Sequence, residues 1–274
     1  MKTVRIMTRS AEYQKLEVLK TNRSKRFRYG EFLVEGVRNI NEARKNGWQF
    51  TSLIFPVGAK LSGWAEETLA ETKTEANLAL APELMAELSG KTDTSELMAV
   101  VKMRPDDAAL LSLSDCPLIA VFDRPSNKGN LGTIIRSCDA LGVDALIITG
   151  HAVDLYDTDV VVSSMGSFFN LPVVRMTDNA GIDAWLDALR TRYGGLSIVG
   201  TTAHADKYIY ECDLTVPTVI MIGNETDGLN AHFKEISTLL AKIPMSESGC
   251  ATSFNVACAA TAMLYEAVRQ RSCK

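Results

Sequence analysis

LIAVFDRPSNKGNLGTIIRSCDALGVDALIIT, residues 118–149, contains two short apolar runs on either side of a longer segment with helical periodicity. Leu118–Phe122 and Ala145–Thr149 are almost entirely apolar, which is typical of strands buried on both faces of a sheet. Apolar residues recur at helical spacing through Leu131–Leu141, between these two runs. The stretch therefore predicts a strand, a helix and a second strand parallel to the first.

The same alternation continues towards the C-terminus. Four further strands are predicted, at Pro172–Arg175, Leu196–Thr201, Thr218–Gly223 and Leu239–Ile243. Further helices are predicted near Thr158–Phe168, Gly181–Tyr193, Asn230–Ile236 and Ser253–Arg271. We expect Ser253 to cap the last helix. This order predicts an α/β domain with a parallel sheet covered on both faces, and a ligand site at the carboxyl ends of its strands.

The first hundred residues predict a smaller, mixed α+β domain. It includes a helix through Tyr13, Leu16 and Leu19 and strands at Thr51–Phe55 and Leu97–Lys102. The following residues up to position 117 contain two prolines and little periodicity, so we interpret them as a linker. The predicted organisation is an N-terminal domain of residues 1–103, a linker of residues 104–116 and an α/β domain of residues 117–274.

The composition limits the classes of protein to which this sequence can belong. The 274 residues are 46% hydrophobic and 23% charged, and no apolar run approaches the ~20 residues that span a bilayer. The N-terminus lacks the apolar segment of a secretory signal. The six cysteines form no C-x-x-C pair and do not cluster with the three histidines. We therefore expect a cytoplasmic protein without a metal ion or a disulfide framework, and exclude membrane, secreted and fibrous classes.

Charge is distributed unevenly along the chain. The formal net charge is −4, yet residues 1–50 carry twelve Lys and Arg against five Glu. A basic arm on an acidic body favours a polyanionic partner, although a solvated charged surface is an equally good explanation of charge alone. The basic residues surround Phe27 and Tyr29, which are either stacking surfaces for nucleic acid or part of the domain core.

Three of the predicted strands end in loops of small and polar residues. The first loop, Asp123–Arg136, contains glycines but neither a G-x-G-x-x-G pattern nor a P-loop. The second, Ile222–Gly228, places Glu225 almost directly after an apolar strand, and the third, Ile243–Asn255, leads into the final helix. Turn formation or helix capping would explain most of these residues separately, whereas Glu225 is harder to explain in that way.

Three patterns occur in order along these loops: Asn130-x-Gly-x-x-x-Arg136, Ile222-Gly-Asn-Glu-x-x-Gly-Leu229, and Ile243-Pro-Met followed by Ser253-Phe-Asn-Val256. The series resembles the three motifs of the SpoU/TrmH family, the S-adenosylmethionine-dependent RNA 2′-O-ribose methyltransferases of the SPOUT superfamily. The resemblance covers residues 117–274. In addition, SKRFRYGEFLVEGVRNINEA (residues 24–43) resembles the ribosomal-protein-like substrate-binding domain of many members. Phe254 departs from the family pattern, which usually has Leu there.

The resemblance implies a fold and an assembly that periodicity does not predict. Family members tie the C-terminal segment into a deep trefoil knot, and they are homodimers with the active site at the subunit interface. The resemblance also implies S-adenosylmethionine as the cofactor, RNA as the partner, and no role for a membrane or a metal. The implied cofactor-binding residues are Thr201, Thr202, Gly223, Ile243, Met245 and Phe254.

Catalytic roles are implied for residues of all three motifs. Arg136 is implied to activate the ribose 2′-hydroxyl. A free guanidinium, with a pKa of ~12.5–13.8, is a poor base, so we favour electrostatic stabilisation of the forming oxyanion. The remaining implied catalytic residues are Asn130, Glu225, Ser253 and Asn255.

The N-terminal domain is expected to bind the RNA through its basic residues. These are Lys20, Arg23, Lys25, Arg26, Arg28 and Arg38, with Arg44 extending the patch. Ribosomal RNA is the favoured substrate because the N-terminal extension resembles that of rRNA-directed members. The alternatives are a transfer RNA ribose methyltransferase of the same family and a catalytically silent RNA-binding relative. A nucleotide-dependent dehydrogenase fits the α/β pattern but lacks its glycine fingerprint.

Overall fold

The computed structural model describes residues 2–91 and 93–272. The strands are β1 (Thr3–Ile6), β2 (Glu31–Glu35), β3 (Phe50–Pro56), β4 (Asn77–Leu80), β5 (Met98–Lys102), β6 (Leu118–Asp123), β7 (Ala145–Thr149), β8 (Val173–Met176), β9 (Ser197–Thr201), β10 (Lys207–Tyr208), β11 (Thr218–Ile222) and β12 (Leu239–Lys242). The helices are α1 (Ala11–Thr21), α2 (Arg23–Tyr29), α3 (Val37–Lys45), α4 (Gly63–Glu71), α5 (Pro82–Ser89), α6 (Lys128–Ala140), α7 (Thr158–Ser163), α8 (Asn179–Tyr193), α9 (Ala231–Ile236) and α10 (Val256–Ser272).

The chain divides into two compact units. The first comprises Met1–Arg104 and Asp154–Asn170, and the second comprises Pro105–Val153 and Leu171–Lys274. The sequence-based division assigned all of residues 117–274 to the second domain. The structure differs from it in the segment Asp154–Asn170, which groups with the N-terminal part of the chain.

The first unit contains a five-stranded mixed sheet. Its strand order is β1-β4-β3-β5-β2, in which β5 runs antiparallel to both of its neighbours and the other pairs are parallel. Tyr13, Leu16 and Leu19 are buried on α1 as their spacing predicted, and they pack with the apolar face of α5 in one core. The mixed α+β class predicted for this part of the chain is confirmed.

A cluster of aromatic rings explains why Asp154–Asn170 belongs to the first unit. Phe32 of β2 contacts the rings of Trp48, Tyr156, Phe168 and Phe169, with centroids 4.9–6.3 Å apart. The indole nitrogen of Trp48 also donates a hydrogen bond to the carbonyl of Phe169, at 2.8 Å. Aromatic rings bury large apolar areas, so this segment supplies part of the core of the unit.

Ion pairs with Arg26 also hold the segment Asp154–Asn170 in the first unit. Arg26 is 2% exposed, and its guanidinium contacts the carboxylates of Asp154 at 2.7 Å and Asp157 at 3.4 Å. It also donates to the carbonyls of Leu19 and Lys20, at 2.9 and 2.8 Å. The expectation that Arg26 contacts RNA is therefore wrong, because its donors are buried and already bound within the unit.

The second unit is built on a seven-stranded, all-parallel sheet. The strand order is β10-β12-β9-β11-β6-β7-β8, and β6, β7 and β11 are buried along their whole length. The predicted α/β class with a parallel sheet is confirmed. β10 has only two residues, which is too short to give a periodic signal in the sequence.

Two predicted helices differ from the observed ones. The helix expected over Thr158–Phe168 is the six-residue α7 followed by a 3-10 turn at Ser167–Phe169, and it lies in the first unit. The final helix begins at Val256, because Asn255 rather than Ser253 caps it: the Asn255 side-chain oxygen accepts from the N–H of Ala257 at 2.9 Å.

None of the helices in the described ranges combines the length and the apolar character needed to cross a bilayer.

Candidate active site

The candidate residues of the second unit lie in loops at one edge of its sheet. β12, β9, β11 and β6 are consecutive and parallel, so their carboxyl ends lie side by side. In parallel sheets this edge carries the ligand site. The loops that follow these four strands contain most of the cofactor-binding and catalytic residues implied by the motifs. Thr201 is the last residue of β9, and Asn130 and Arg136 lie on α6.

Glu225 joins the loop after β11 to the loop after β6. Its Oε2 accepts from the N–H of Ser126 at 3.0 Å and from the Ser126 hydroxyl at 2.7 Å. Its Oε1 accepts from the N–H of Asn127 at 3.1 Å and from the Asn130 amide at 3.3 Å. Burial acts to raise the pKa of Glu225, but these hydrogen bonds, chiefly from Ser126, lower the pKa below its ordinary value. The carboxylate is therefore ionised at neutral pH and serves as an acceptor.

Asn130 links this carboxylate to the third motif. Its amide nitrogen donates to Glu225, and its amide oxygen accepts from the Asn255 side chain at 3.2 Å. The oxygen of Asn255 is in turn bound at the first turn of α10. Since both ends of the Asn130 amide are engaged, the network selects one orientation of that side chain. Three residues from three separate motifs are thus brought into one hydrogen-bonded chain.

Asp123 and Arg124 connect the same loops at the end of β6. The buried Asp123 carboxylate accepts from the Thr149 hydroxyl at 3.2 Å and from the N–H of Asn230 at 3.1 Å. Arg124 donates to both Asp123 oxygens, at 3.0 and 2.9 Å, and to the carbonyl of Gly228 at 3.3 Å. Arg124 has a φ of 47°, a left-handed conformation that costs a non-glycine residue about 1–2 kcal/mol. Its side-chain contacts offset this strain.

A cavity of about 370 Å³ lies among the loops after β9, β11 and β12 and the beginning of α10. Glu225 and Ser253 of the implied catalytic set line it. So do all six residues that the resemblance assigned to the cofactor, namely Thr201, Thr202, Gly223, Ile243, Met245 and Phe254. The sequence motifs therefore converge on one cavity, although the residues come from four separate stretches of the chain.

The turn after β11 requires glycine at its first position. A Cβ on Gly223 would lie 2.3 Å from the nitrogen of Leu229 and 2.4 Å from the carbonyl carbon of Gly228. Asn224 and Gly228 exchange two backbone hydrogen bonds, at 3.0 and 3.1 Å, which close the turn. The backbone can fold this tightly beside the cavity only because residue 223 has no side chain.

The chemistry of the cavity lining fits S-adenosylmethionine. Its volume is within the ~300–1,000 Å³ typical of small-molecule sites. Apolar Ile243 and Phe254 suit the faces of an adenine ring. Asp227 supplies a carboxylate beside that of Glu225 for positively charged groups, and Lys242 supplies a cation for a carboxylate.

Several lining residues were not among the predicted site residues. The motif resemblance passed over Lys234, Lys242, Ala260 and Met263. Ala260 and Met263 belong to the buried apolar face of α10, and they also line the cavity. An apolar stripe on a helix has the same appearance in a sequence whether it faces a core or a cavity wall.

Arg136 lies apart from this network. It is exposed on α6, it does not line the cavity, and among the described residues it has no hydrogen bond or ion pair. Six residues along an α-helix rotate the side chain by about 240°, so Arg136 and Asn130 project from faces about 120° apart. One chain alone therefore does not bring Arg136 into the lining of its own cavity.

The predicted RNA-binding residues of the first unit differ in their exposure. Arg23, Arg28 and Arg38 are exposed, and Lys25 is half-buried. Lys20 donates to the carbonyls of Leu88 and Ser89, at 2.7 and 2.9 Å, and so binds the end of α5. Only Arg26 is removed from the predicted surface by burial, as described above.

The two aromatic residues of α2 are partly exposed. Phe27 is 38% and Tyr29 43% exposed, so neither ring is a core residue of the unit. The guanidinium of Arg23 lies 5.7 Å from the Phe27 ring centroid, and the Lys15 ammonium lies 5.1 Å from that of Tyr29. Of the two sequence-based interpretations, the structure therefore excludes the one in which these rings form the core.

Comparison with known proteins gives consistent matches along the chain. The SpoU rRNA Methylase family matches residues 117–265, and the SpoU L30e-like domain matches residues 10–99. A 23S rRNA (uridine(2479)-2′-O)-methyltransferase of Streptomyces viridochromogenes is 44% identical over 268 residues, which is 97% of this chain and 92% of the relative. A 23S rRNA (guanosine-2′-O-)-methyltransferase RlmB of Pseudomonas putida is 32% identical over 77% of this chain and 89% of its own.

Solved structures agree with these matches. The SpoU methyltransferase AviRb of Streptomyces viridochromogenes, in complex with the cofactor AdoMet, superimposes with a TM-score of 0.91 at 44% identity. The superposition covers 96% of this chain and 99% of that one. An RNA 2′-O ribose methyltransferase gives a TM-score of 0.79 at 30% identity, over 98% of this chain and 100% of that one. The motifs, the cavity and these matches together show that the chain belongs to the SpoU rRNA methylase family.

Proposed function

We propose that this protein transfers a methyl group from S-adenosylmethionine to a ribose 2′-hydroxyl of large-subunit ribosomal RNA. The observation that carries the proposal is the convergence of six implied cofactor residues on one cavity, next to the hydrogen-bonded chain of Glu225, Asn130 and Asn255. The relatives support the substrate class, since the proteins of Streptomyces viridochromogenes and Pseudomonas putida are both named 23S rRNA 2′-O-methyltransferases. Such a substrate implies a cytoplasmic location.

The reaction requires positioning and stabilisation of negative charge. When bound, S-adenosylmethionine would supply a sulfonium-activated methyl group, and its transfer to the 2′-oxygen would leave S-adenosylhomocysteine and release the hydroxyl proton to water. Arg136 has guanidinium donors without a partner among the described residues, and we assign it to the 2′-oxygen, where it stabilises the developing negative charge. Glu225, Asn130 and Asn255 hold the loops in a fixed arrangement, and Ser253 contributes its hydroxyl to the cavity wall.

RNA binding is assigned to the exposed part of the first unit. Arg23, Arg28 and Arg38 supply positive charge for phosphates, and the partly exposed rings of Phe27 and Tyr29 supply stacking surfaces. Lys25 and Lys20 contribute less, because each is partly buried and Lys20 already binds two carbonyls.

We also infer a homodimer and a knotted C-terminal segment. Arg136 does not line the cavity of its own chain, which supports a site completed by Arg136 of a second copy. Tyr265 on α10 is 58% exposed, and a large exposed ring on a long helix is suited to an interface. After β12, α10 returns to pack on α6, where Thr261 and Ser137 share a hydrogen bond of 2.7 Å, and this return path agrees with the trefoil knot of the family.

Methyl transfer to RNA tests the proposed function directly. The purified protein is incubated with labelled S-adenosylmethionine and, separately, with unmodified 23S rRNA and with transfer RNA, and the products are digested for mass spectrometry. We expect one 2′-O-methylated nucleotide in 23S rRNA. Label in transfer RNA alone would contradict the substrate, and the absence of label despite cofactor binding would contradict the activity.

Coexpression of two inactive variants tests the composite site. R136A and G223V chains carrying different affinity tags are purified together as heterodimers. If Arg136 acts at the partner's cavity, one site of each heterodimer is intact and about half of the wild-type activity is expected. If each chain supplies its own Arg136, both sites are defective, and the heterodimer will be as inactive as either homodimer.

A further inference from the structure

Two tyrosines at the end of β10 form an exposed aromatic stack. The rings of Tyr208 and Tyr210 have centroids 5.3 Å apart and an interplanar angle of 13°. Tyr208 is the last residue of β10, and Tyr210 lies in the 3-10 turn that follows. Tyr210 is 52% exposed, and among the described residues Tyr208 is the only ring in contact with it. A large part of the Tyr210 ring is therefore accessible to a planar partner.

A cation joins the stack on its Tyr208 side. The register of β10 and β12 pairs Tyr208 with Lys242, and the Lys242 ammonium lies 5.0 Å from the Tyr208 ring centroid. Side chains paired across neighbouring strands lie within contact distance, so the sheet register holds this arrangement in place. At the edge of the sheet, Tyr208 therefore contacts both the Tyr210 ring and the Lys242 ammonium.

This group of three side chains adjoins the cofactor cavity through Lys242. Lys242 lines the cavity, whereas neither tyrosine does. The stack is therefore beside the cavity rather than part of its wall, and its rings are not placed to hold an adenine inside. Lys207 is exposed on the same strand and adds a second cation to this edge.

An exposed aromatic ring beside cations has the chemistry of a single-stranded nucleic-acid site. Aromatic rings stack on nucleobases of any sequence, and neighbouring cations bind the phosphates. Two acids lie on the same segment: Asp206 is exposed beside Lys207, and the carboxylate of Glu211 accepts from the N–H of Tyr208 at 2.7 Å.

We propose that Tyr210 is a stacking platform for a nucleobase that flanks the target nucleotide of the substrate RNA. The inference rests on the proposed function and adds a contact on the catalytic unit to those of the N-terminal unit. Because Lys242 connects the cavity with the stack, a base next to the methylated ribose is the one expected to reach Tyr210.

The substitution Tyr210→Ala tests the platform, with Tyr210→Phe as the matched control that keeps the ring. Affinity for unmodified 23S rRNA is measured by filter binding at several salt concentrations, and affinity for S-adenosylmethionine by calorimetry. We expect Y210A to weaken RNA binding by about 5- to 150-fold, the range for loss of one base–aromatic stack, and Y210F to keep most of the wild-type affinity. Cofactor affinity should be the same in all three proteins.

Salt dependence separates stacking from charge. Loss of a stack lowers RNA affinity by a similar factor at every salt concentration, whereas loss of a phosphate contact reduces the slope of log K against log salt by about 0.7–0.9. Y210A should keep the wild-type slope, while Arg28→Ala in the N-terminal unit should reduce it. Crosslinking of 4-thiouridine-substituted 23S rRNA should in addition label Tyr210.

Three outcomes would overturn the inference. Unchanged RNA affinity in Y210A would show that the ring does not contact RNA. A loss of cofactor affinity would assign the ring to the cavity, and dissociation of a dimer would assign it to an interface between copies. In each of these outcomes the wild-type protein still transfers the methyl group. Failure of the proposed function would instead be seen as no methyl transfer by the wild-type protein, so the two kinds of failure are distinguishable.

Discussion

Glu225 accepts four hydrogen bonds from Ser126, Asn127 and Asn130, and in this way it orders the loop that precedes α6. Its position after an apolar strand identified it as a functional candidate. Its partners could not be read from the sequence, because they lie 95 to 99 residues away. The Glu225 carboxylate therefore has a structural role: it accepts several hydrogen bonds at once, which explains why an acidic side chain is needed at this position.

Glu225→Gln should destabilise the protein at neutral pH, because its amide nitrogen would face the N–H donors of the loop. The pKa of Glu225 is lowered by folding, so its contribution is fully present above the unfolded-state pKa of ~4.3 and is lost as pH falls through the folded-state pKa. Urea unfolding should show that the free energy of unfolding of E225Q is lower than that of wild type at pH 7, and that this difference becomes smaller as the pH falls to 3. A difference independent of pH would contradict this role. Glu235→Gln, at an exposed position on α9, is the control.

Arg124 combines a left-handed backbone with a clamping side chain, and two substitutions separate these effects. Arg124→Ala and Arg124→Gly both remove the bonds to Asp123 and Gly228, but only alanine retains the strain at a φ of 47°. R124A should therefore be less stable than R124G by about 1 kcal/mol. Equal urea midpoints for the two variants would show that the backbone conformation relaxes when the side chain is removed.

At the scale of elements, α10 begins directly after Asn255, and its first turns line the cavity. Asn255 caps this helix with its side-chain oxygen and donates to Asn130 with its side-chain nitrogen, so one residue serves both the helix and the site. The sequence pattern placed the cap at Ser253, two residues before the observed cap, Asn255. Capping preferences do not distinguish two suitable residues that are close together, and the tertiary contact with Asn130 favours the second.

Substitutions at Asn255 should separate capping from catalysis. Asn255→Ala loses the cap and should cost about 0.5–2 kcal/mol of stability. Asn255→Ser keeps a capping oxygen but is too short to reach Asn130, so it should regain most of the stability while methyl transfer stays reduced. Thermal unfolding and single-turnover transfer, measured on the same samples, check both parts. Full activity in N255S would mean that the bond to Asn130 has no part in the reaction.

At the scale of the whole molecule, the first unit is discontinuous in sequence. Asp154–Asn170 lies between β7 and β8 of the parallel sheet along the chain, yet its aromatic rings and carboxylates pack in the N-terminal unit. The chain therefore passes from the catalytic sheet into the first unit and back again. This organisation makes folding of the first unit dependent on residues that belong, by sequence position, to the middle of the second.

Arg26→Ala tests this dependence. It removes the guanidinium that neutralises the buried carboxylates of Asp154 and Asp157, which should cost about 3–5 kcal/mol. The exposed Arg28 provides the control, since Arg28→Ala should change stability by less than about 0.5 kcal/mol. Urea unfolding monitored by tryptophan fluorescence, in a Trp185→Phe background that removes the signal of the second unit, follows the first unit through Trp48 and Trp64. Equal stability of the two variants would contradict a structural role for Arg26.

Most of the second unit could be predicted from local signals. The six predicted strands lie within one or two residues of β6, β7, β8, β9, β11 and β12, because each is a short, mainly apolar run. The signal is strongest for β6, β7 and β11, which are buried on both faces. The shorter or more polar elements, α2 and β10 among them, were not identified, since their side chains carry no regular period.

The motifs and the alternation of apolar runs were sufficient to predict the family, the fold class and the six implied cofactor residues that line the cavity, because these predictions depend on residue types at fixed spacing. The burial of Arg26, the cap at Asn255 and the separation of Arg136 from its own cavity required the tertiary structure. Arg26 illustrates the reason: its partners are 128 and 131 residues away, so nothing near it in the chain distinguishes a buried guanidinium from one that contacts RNA. Local sequence reports the properties of a side chain, and only the folded chain determines what surrounds it.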